Sequence, residues 1–361
     1  MIKSLELCNF RNYTSEKLKF SSNKIVFTGE NGQGKTNILE AICFLSILRS
    51  FRTSSIKALT KIHSPGFKIQ SEINIHNNYN TIFEIEYSNR RILRIDDNSI
   101  SKATQFIGGI KTVVFAPNDI QIVTASSNIR RRFINIYQST LNPTYLRALS
   151  EYTAALKIRN NLLKKSTNIQ EHIAFEEILA EKGSILVNQR SQTLKKLSEE
   201  INNIYLNIRD EENSFELKYS PPSTTFNKDS YLEKLIAIRH KDILKGYTSI
   251  GPHCDDFDFR LNGKALKHFG STGQCRLASL CLKMASINMM KKLSSTETSG
   301  RIIALVDDVT GELDDRTKNA FFNSISSSDQ IFFTFTQMPK SDFFSNSEHF
   351  IVKNGSVSEA L

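Results

Sequence analysis

The chain has 361 residues, 39% of them hydrophobic and 23% charged, the balance of a globular protein with room for one large domain or two closely joined ones. No apolar run is long enough to cross a bilayer, and Met1-Ile2-Lys3-Ser4-Leu5-Glu6-Leu7 alternates like a strand instead of forming a signal-peptide core. Five cysteines without a CxxC pair argue against a disulfide framework and against zinc, so the expectation is a reduced, cytoplasmic protein with no membrane partner. The net charge of +10 favours a polyanion as partner, nucleic acid first, although a lysine-rich proteome would raise the charge of any chain.

From Met1 to about Asn118 the pattern is β-rich around one helix. Leu5, Leu7 and Phe10, then Leu18 and Phe20, alternate as a hairpin would. Lys24-Ile25-Val26-Phe27 reads as a buried strand and Asn37–Ile42 as the start of a helix. Between them lies Gly29-Glu30-Asn31-Gly32-Gln33-Gly34-Lys35-Thr36, giving strand, glycine-rich loop and helix in the order a phosphate cradle requires. The loop N–H groups and the helix N-terminus would surround nucleotide phosphates. Lys35 would reach the β- and γ-phosphates and the Thr36 hydroxyl would coordinate Mg²⁺. The competing reading is a glycine turn that merely caps a helix; the flanking elements favour the cradle. Further strands are expected at Phe67–Ile75, Thr81–Tyr87, Arg91–Ile95 and Thr112–Phe115, separated by turn formers such as Asn77-Asn78 and Ser88-Asn89.

From Asp119 to about Asp210 the period becomes helical. Arg130-Arg131-Arg132-Phe133-Ile134 opens one helix, Asn142-Pro143 breaks it, and Tyr145 to Lys165 forms a second. Leu194, Leu197, Ile201, Ile204 and Ile208 then recur at three- and four-residue steps, either a seam for an antiparallel partner helix or one face of an ordinary amphipathic helix. Pro221-Pro222 marks a linker, followed by a helix over Ser230–Leu244.

The last third carries three signals. Phe257–Leu261, Asn262-Gly263 and Lys264-Ala265-Leu266 read as a hairpin. Ser271-Thr272-Gly273-Gln274 leads into the apolar helix Leu277–Met290. Ile302–Val306 ends in Asp307-Asp308, with Thr310-Gly311-Glu312-Leu313-Asp314 behind it. The apolar run is a buried parallel strand that delivers two carboxylates to the edge of the sheet where the phosphate loop also lies. Asp307 has the type and position of a second Mg²⁺ ligand opposite Thr36. Adjacent residues at a strand end face different ways, which leaves Asp308 to orient or deprotonate an attacking water. A solvated Asp-Asp turn is the alternative. The small-residue turn at Ser271–Gln274 offers a hydroxyl and N–H groups at a helix start, a second anion site. One chain has no use for two γ-phosphate sites, whereas two facing copies do, so an ATP-sandwiched homodimer is expected.

Taken together, the phosphate loop, the SxGQ turn and the apolar-run-plus-DD strand resemble the ABC-type ATPases, in particular the SMC-like repair heads. Asn9–Tyr13, Gly29–Ile42, Ser50–Thr53, Arg130–Phe133, Arg159–Lys164, Ile250–Phe259, Phe269–Arg276 and Asp307–Asp315 look in detail like the bacterial RecF family, in order along the chain. The resemblance implies an α/β P-loop head of two lobes: residues 1–118 and 296–361 as the ATPase lobe, and 119–295 as a helical lobe with the signature turn. It implies an ATP- and Mg²⁺-using, DNA-binding repair and replication-restart protein that dimerises with ATP and hydrolyses it slowly in response to DNA. RecR and RecO would be its pathway partners, and RecA would be loaded near single-strand/double-strand junctions. It places Lys35 and Thr36 on phosphate and metal, Asp307 on Mg²⁺, and Asp308 where relatives carry a catalytic glutamate. Ser271 and Gln274 would meet the other protomer's γ-phosphate.

Several positions depart from the family pattern. Asn118 stands where an acidic residue is usual, leaving Asp119 as the candidate for the Q-loop role. Thr336 and Gln337 fall where transporter-type relatives place a switch histidine, and only Gln337 is a candidate for that place. His253 is either a sensor of the site or a loop histidine. For DNA, Arg130, Arg131 and Arg132 on one helix and Arg159, Lys164 and Lys165 on the next are the expected backbone contacts, against a solvated basic face with internal ion pairs. Arg11 and Arg52 are expected beside the phosphate loop. The rival functions are a transporter nucleotide-binding subunit, a DNA scaffold that holds nucleotide without hydrolysing it, and, more weakly, a nuclease relative.

Overall fold

Helix Lys35–Ile47 is apolar on nearly every side, and from Ile38 to Ser46 each of its residues is buried, which a helix of that composition requires. In the computed structural model it lies at the heart of a unit formed by Met1–Asp119 and Leu280–Leu361; a second unit comprises Ile120–Ser279. The structure describes the chain except residues 77–78, 166–168, 210–213, 224–225, 294–299, 310, 312 and 361, and the side chains at 76 and 169. The expected Asn77-Asn78 turn, and Thr310 and Glu312 beyond the acidic pair, fall outside the described residues.

In the first unit the described strands form two sheets of six. One is antiparallel, in the order Tyr13–Lys19, Ile2–Phe10, Phe67–His76, Tyr79–Tyr87, Arg91–Ile95, Asn98–Ser99. The other runs Ser356–Glu359, Glu348–Lys353, Lys24–Thr28, Gln330–Phe335, Arg301–Asp307, Ile110–Phe115, parallel throughout except for its first strand. Ile302 to Val306 are all buried, as both faces of a central parallel strand must be, and each of the Ile, Leu and Val side chains contributes about 1.5–3 kcal/mol. Register sets Asp307 beside Thr334, and Phe335 beside Thr28, so three strands end at one edge.

Helix Thr272–Leu293 begins in the second unit, but its residues from Leu280 onward belong to the first. Cys281, Leu282, Met284, Ala285 and Ile287 are buried, and the Lys283 ammonium bonds the Val114 carbonyl and the Asp119 carboxylate. The boundary expected at 295 therefore lies at 279 in the fold. Apolar burial along this helix goes with the division.

The second unit contains helices Ser127–Leu141, Pro143–Lys165, Ile169–Arg209 and Lys228–Lys245, and a three-stranded sheet in the order Lys264–Ala265, Asp256–Leu261, Phe215–Ser220. Tyr145, Tyr152, Leu179, Leu186, Tyr231 and Leu235 form its helical core. Helix Ile169–Arg209 is 41 residues long. Its Leu194, Leu197, Ile201 and Ile208 are buried, but strand Phe215–Ser220 packs along this stretch. The Ser198 hydroxyl accepts the Leu217 N–H at 2.8 Å, and Tyr205 stacks on Phe215 with centroids 5.1 Å apart. A sheet edge thus fills the place where an antiparallel partner helix was one expectation, and the amphipathic-helix reading is the one the packing follows.

Candidate nucleotide site

The loop between strand Lys24–Thr28 and helix Lys35–Ile47 is shaped by two glycines that no other residue replaces easily. Gly29 has φ +148°, and a Cβ there would stand 2.3 Å from the Val352 carbonyl oxygen. At Gly34, φ is +120° and a Cβ would meet the Asn12 and Tyr13 side chains within 3 Å. Those neighbours brace the loop from outside. Asn12 donates to the Gln33 carbonyl at 2.8 Å and accepts from Asn37 at 2.8 Å, and Tyr13 donates to the Gly34 carbonyl at 3.1 Å. The C-terminal hairpin adds the Gly355 N–H on the Gln33 carbonyl at 3.1 Å and the Asn354 N–H on the Gln33 side chain at 2.6 Å. Glu30, Asn31 and Gly32 form the outer rim and are exposed or nearly so.

Lys35 donates to the Gly29 and Glu30 carbonyls at 2.6 and 2.8 Å, which holds its ammonium across the loop. Burial pushes the Lys35 pKa down, while the Asp308 and Asp307 carboxylates oppose that shift. Thr36 Oγ1 donates to Asp307 Oδ1 at 2.7 Å, and Thr334 Oγ1 donates to the same oxygen at 2.8 Å. The Thr36 and Asp307 oxygens are thus close enough to face one ion, a fitting donor pair for Mg²⁺, which takes few protein ligands and completes its shell with water and phosphate. Among the described residues no group of three or more His, Cys, Asp or Glu forms a metal cage. Asp308 is exposed and left-handed, at φ +51°, a conformation Asp tolerates better than most residues. The turn separates the two carboxylates: Asp307 is tied to two hydroxyls, while Asp308 stands at the rim within electrostatic reach of Lys35.

In the second unit, Ser271 caps helix Thr272–Leu293 through a reciprocal box. The Gln274 N–H donates to Ser271 Oγ at 3.2 Å, and the Ser271 N–H donates to Gln274 Oε1 at 2.9 Å. Both side chains act as acceptors in this box, so the Ser271 hydroxyl proton and the Gln274 amide hydrogens remain to donate elsewhere. Ser271, Thr272 and Gly273 are exposed.

Similarity to known proteins runs nearly end to end. The model of the RecF/RecN/SMC N terminal domain family matches residues 1–352. The DNA replication and repair protein RecF of Streptococcus thermophilus is 34% identical over 366 residues, covering 99% of this chain and 98% of that protein. The protein of the same name from Leptospira interrogans is 34% identical over 346 residues, covering 93% and 92%. The chain belongs to the RecF family. Solved structures of the recombination mediator protein RecF in the RecFOR pathway superpose on this RecF-family chain at 27% identity: RecF-ATP with a TM-score of 0.90 over 100% of this chain and 97% of that one, and RecF-ATPrS with 0.89 over 100% and 98%. The Smc head domain bound to ScpA, from Pyrococcus furiosus, shares the fold, with a TM-score of 0.55 and 15% identity over 99% of this chain and 95% of that one. The fold is accordingly the two-lobed α/β head of this family.

The remaining expected residues of the RecF-family chain divide sharply. Arg130 is 3% exposed; it forms a bidentate pair with Asp256 at 2.7 and 2.9 Å and caps the carbonyls of Ile122, Val123 and Ala125. Arg159 is fully buried between Glu176 and Asp242, at 3.0 and 2.9 Å, and also donates to Thr248. Neither can present a guanidinium to DNA phosphates in this fold, which corrects both assignments. Arg131 is half-buried and donates to the Asp255 carbonyl and Asn128, and Arg132 is half-buried. Lys164 and Lys165 are exposed. Arg11 clasps buried Glu40 with two 2.7 Å bonds and Arg52 donates to Asn37 at 2.7 Å, so both hold the helix that carries the phosphate loop.

Asp119 accepts the Ala116 N–H at 2.7 Å and pairs with Lys283; burial raises its pKa, opposed by Lys283. Gln337 is exposed just beyond strand Gln330–Phe335. His253 Nε2 lies 2.9 Å from the Thr248 carbonyl and its Nδ1 2.6 Å from the Tyr152 hydroxyl, so a neutral ring donates to the former and accepts from the latter. That is a loop histidine built into a hydrogen-bond chain. Sequence reasoning missed Thr334 and Asn12 as parts of the site. A hydroxyl ending the strand beside Asp307 was the available signal for Thr334; nothing in the spacing pointed to Asn12.

Proposed function

We propose that this chain is an ATP-dependent DNA-binding protein of recombinational repair and replication restart. With ATP it forms a homodimer that clamps DNA near single-strand/double-strand junctions. Together with RecR and RecO it promotes RecA loading, and slow DNA-stimulated ATP hydrolysis resets it. The observation that carries this reading is the 2.7 Å contact of Thr36 with Asp307 at the mouth of a braced phosphate loop. The near full-length likeness to RecF proteins, and the solved structure of a RecF with ATP in the RecFOR pathway, support it.

In this mechanism the loop N–H groups and Lys35 bind the phosphates. Thr36 and Asp307 would hold Mg²⁺, which on binding would neutralise charge on the terminal phosphates. Thr334 fixes the Asp307 carboxylate by a second hydrogen bond and so sets its direction. Asp308 orients a water and accepts its proton. A second copy contributes Ser271 and Gln274, whose unspent donors reach the γ-phosphate, with Thr272 and Gly273 presenting N–H groups beside them. DNA contacts fall to exposed Lys164 and Lys165 and half-buried Arg131 and Arg132, since buried Arg130 and Arg159 are committed within the fold.

The test is size analysis of the wild type and of Ser271→Arg with saturating ATP and with ADP. The expected result is a dimer with ATP alone, abolished by the substitution. A wild type that stays monomeric with ATP, or dimerises equally with ADP, overturns the sandwich.

A further inference from the structure

The turn Lys245-Gly246-Tyr247-Thr248 in the second unit is held on every side yet leaves its aromatic ring outside. Gly246 ends helix Lys228–Lys245 at φ +71° and donates to the Asp242 and Ile243 carbonyls. Thr248 is 2% exposed; its N–H and hydroxyl both bond Asn160, and Arg159 donates to its oxygen at 2.7 Å. Arg159 is itself fixed by the buried Glu176 and Asp242, with Arg239 on the far side of Glu176. Tyr247 sits between these anchors and is 50% exposed, with the Lys245 ammonium 5.7 Å from its ring centroid. Leu244 beside it is 76% exposed.

The surroundings are basic. The stem of Lys164 lies against Gly246, with its Cγ 3.3 Å from where a Cβ would stand. Lys164, Lys165, Lys241 and Lys245 are all exposed, and exposed Lys157 lies about two turns before Lys164 on the same helix face. Between residues 157–165 and 237–249 the one acidic residue is Asp242, buried on Arg159. An immobilised backbone, a half-exposed aromatic ring and exposed ammonium groups beside it are the parts of a stacking platform for an unpaired base with its phosphates held alongside. Duplex DNA has no exposed base face to offer, so the aromatic group favours a single strand.

We infer that the Tyr247 turn, flanked by Lys164 and Lys245, is a single-stranded nucleic acid site that stacks a base on the tyrosine. This rests on the DNA-binding reading above and adds the residues that would hold the unpaired strand. It also offers a device by which a junction could be told from plain duplex.

The experiment is fluorescence anisotropy of the full chain with a labelled oligo(dT) of about 20 nucleotides and a duplex of the same length, a span of one to a few such sites. Thermal melts accompany each variant. Tyr247→Ala is expected to weaken single-strand binding at least about fivefold and duplex binding less than about twofold, while Tyr247→Phe keeps the stacking face and binds as wild type. Lys164→Ala with Lys245→Ala is expected to lower the salt slope for the single strand by about 1.4. Unchanged single-strand binding by Tyr247→Ala overturns the inference. Equal loss on both DNAs with an unchanged melt also overturns it, leaving a phosphate patch without base stacking. A wild type that binds neither DNA sinks the DNA-binding reading itself. Tyr247-dependent capture of an acidic peptide in that case assigns the turn to a protein partner.

Discussion

At the scale of single residues, the site is decided by what each polar atom is already doing. Asp307 Oδ1 accepts from two threonines, and a hydrogen bond to a charged acceptor is worth about 1.5–3 kcal/mol. Thr334→Val keeps the shape and removes one donor. On the proposed role of Asp307, single-turnover hydrolysis should fall about tenfold or more with ATP affinity little changed; wild-type turnover in this variant would count against Thr334 as a positioning residue. His253 gives a pH prediction. Burial holds its pKa below the ordinary value of about 6.5. The unfolded chain therefore takes up the proton first as pH falls, and the native state loses stability below that pH until its own pKa is reached. His253→Gln can keep both hydrogen bonds without titrating, so its melting temperature should fall less than that of the wild type between about pH 7 and pH 5. Parallel curves would refute the assignment. The places of Lys35 and Thr36 were legible because strand-loop-helix order leaves them one position, and that of Asp307 because an apolar strand run ends there. Arg130 and Arg159 were misread because a run of basic residues looks the same whether its carboxylate partners are nearby or, as with Asp256 and Asp242, about 80 to 130 residues away.

Elements show why those arginines matter. Arg159, Glu176, Asp242 and Arg239 tie together helices Pro143–Lys165, Ile169–Arg209 and Lys228–Lys245. Removing Arg159 leaves two buried carboxylates without their shared partner, a change that costs about 3–5 kcal/mol. Arg159→Met should therefore lower the melting temperature by about 10 °C, whereas exposed Lys164→Ala should leave it nearly unchanged. If Arg159→Met lost DNA binding while melting like the wild type, the buried-network account would be wrong. The phosphate loop makes the same point about hidden partners. Its glycines were visible in the sequence, but the Val352 carbonyl against Gly29 comes from a hairpin more than 300 residues later. Gly29→Ala should weaken ATP binding at least about tenfold in titration calorimetry, since a backbone oxygen at 2.3 Å cannot step aside as a side chain would.

At the scale of the whole molecule, the order of elements was readable and the division between units was not. Parallel strands announce themselves as continuous apolar runs ending in polar residues, and Ile302–Asp307 did so. Helix Thr272–Leu293 gives no such notice, because its polar start and its buried remainder form one unbroken period across the boundary. The same continuity bears on how hydrolysis would report to the dimer. The helix joins the Ser271–Gln274 turn to Lys283, whose ammonium pairs with Asp119, and Asp307 lies within electrostatic reach of Asp119. On the proposed roles, a variant that binds ATP but cannot activate water should keep both copies engaged. Asp308→Asn retains the side-chain size and its tolerance of the left-handed backbone, and it removes the base. Its ATP-bound dimer should outlast the wild-type dimer by at least about tenfold after dilution into ADP, the loss expected when a general base is removed. Light scattering reads the decay directly. Equal lifetimes would mean that hydrolysis at Asp308 does not time the release, and that the dimer is set by nucleotide exchange instead.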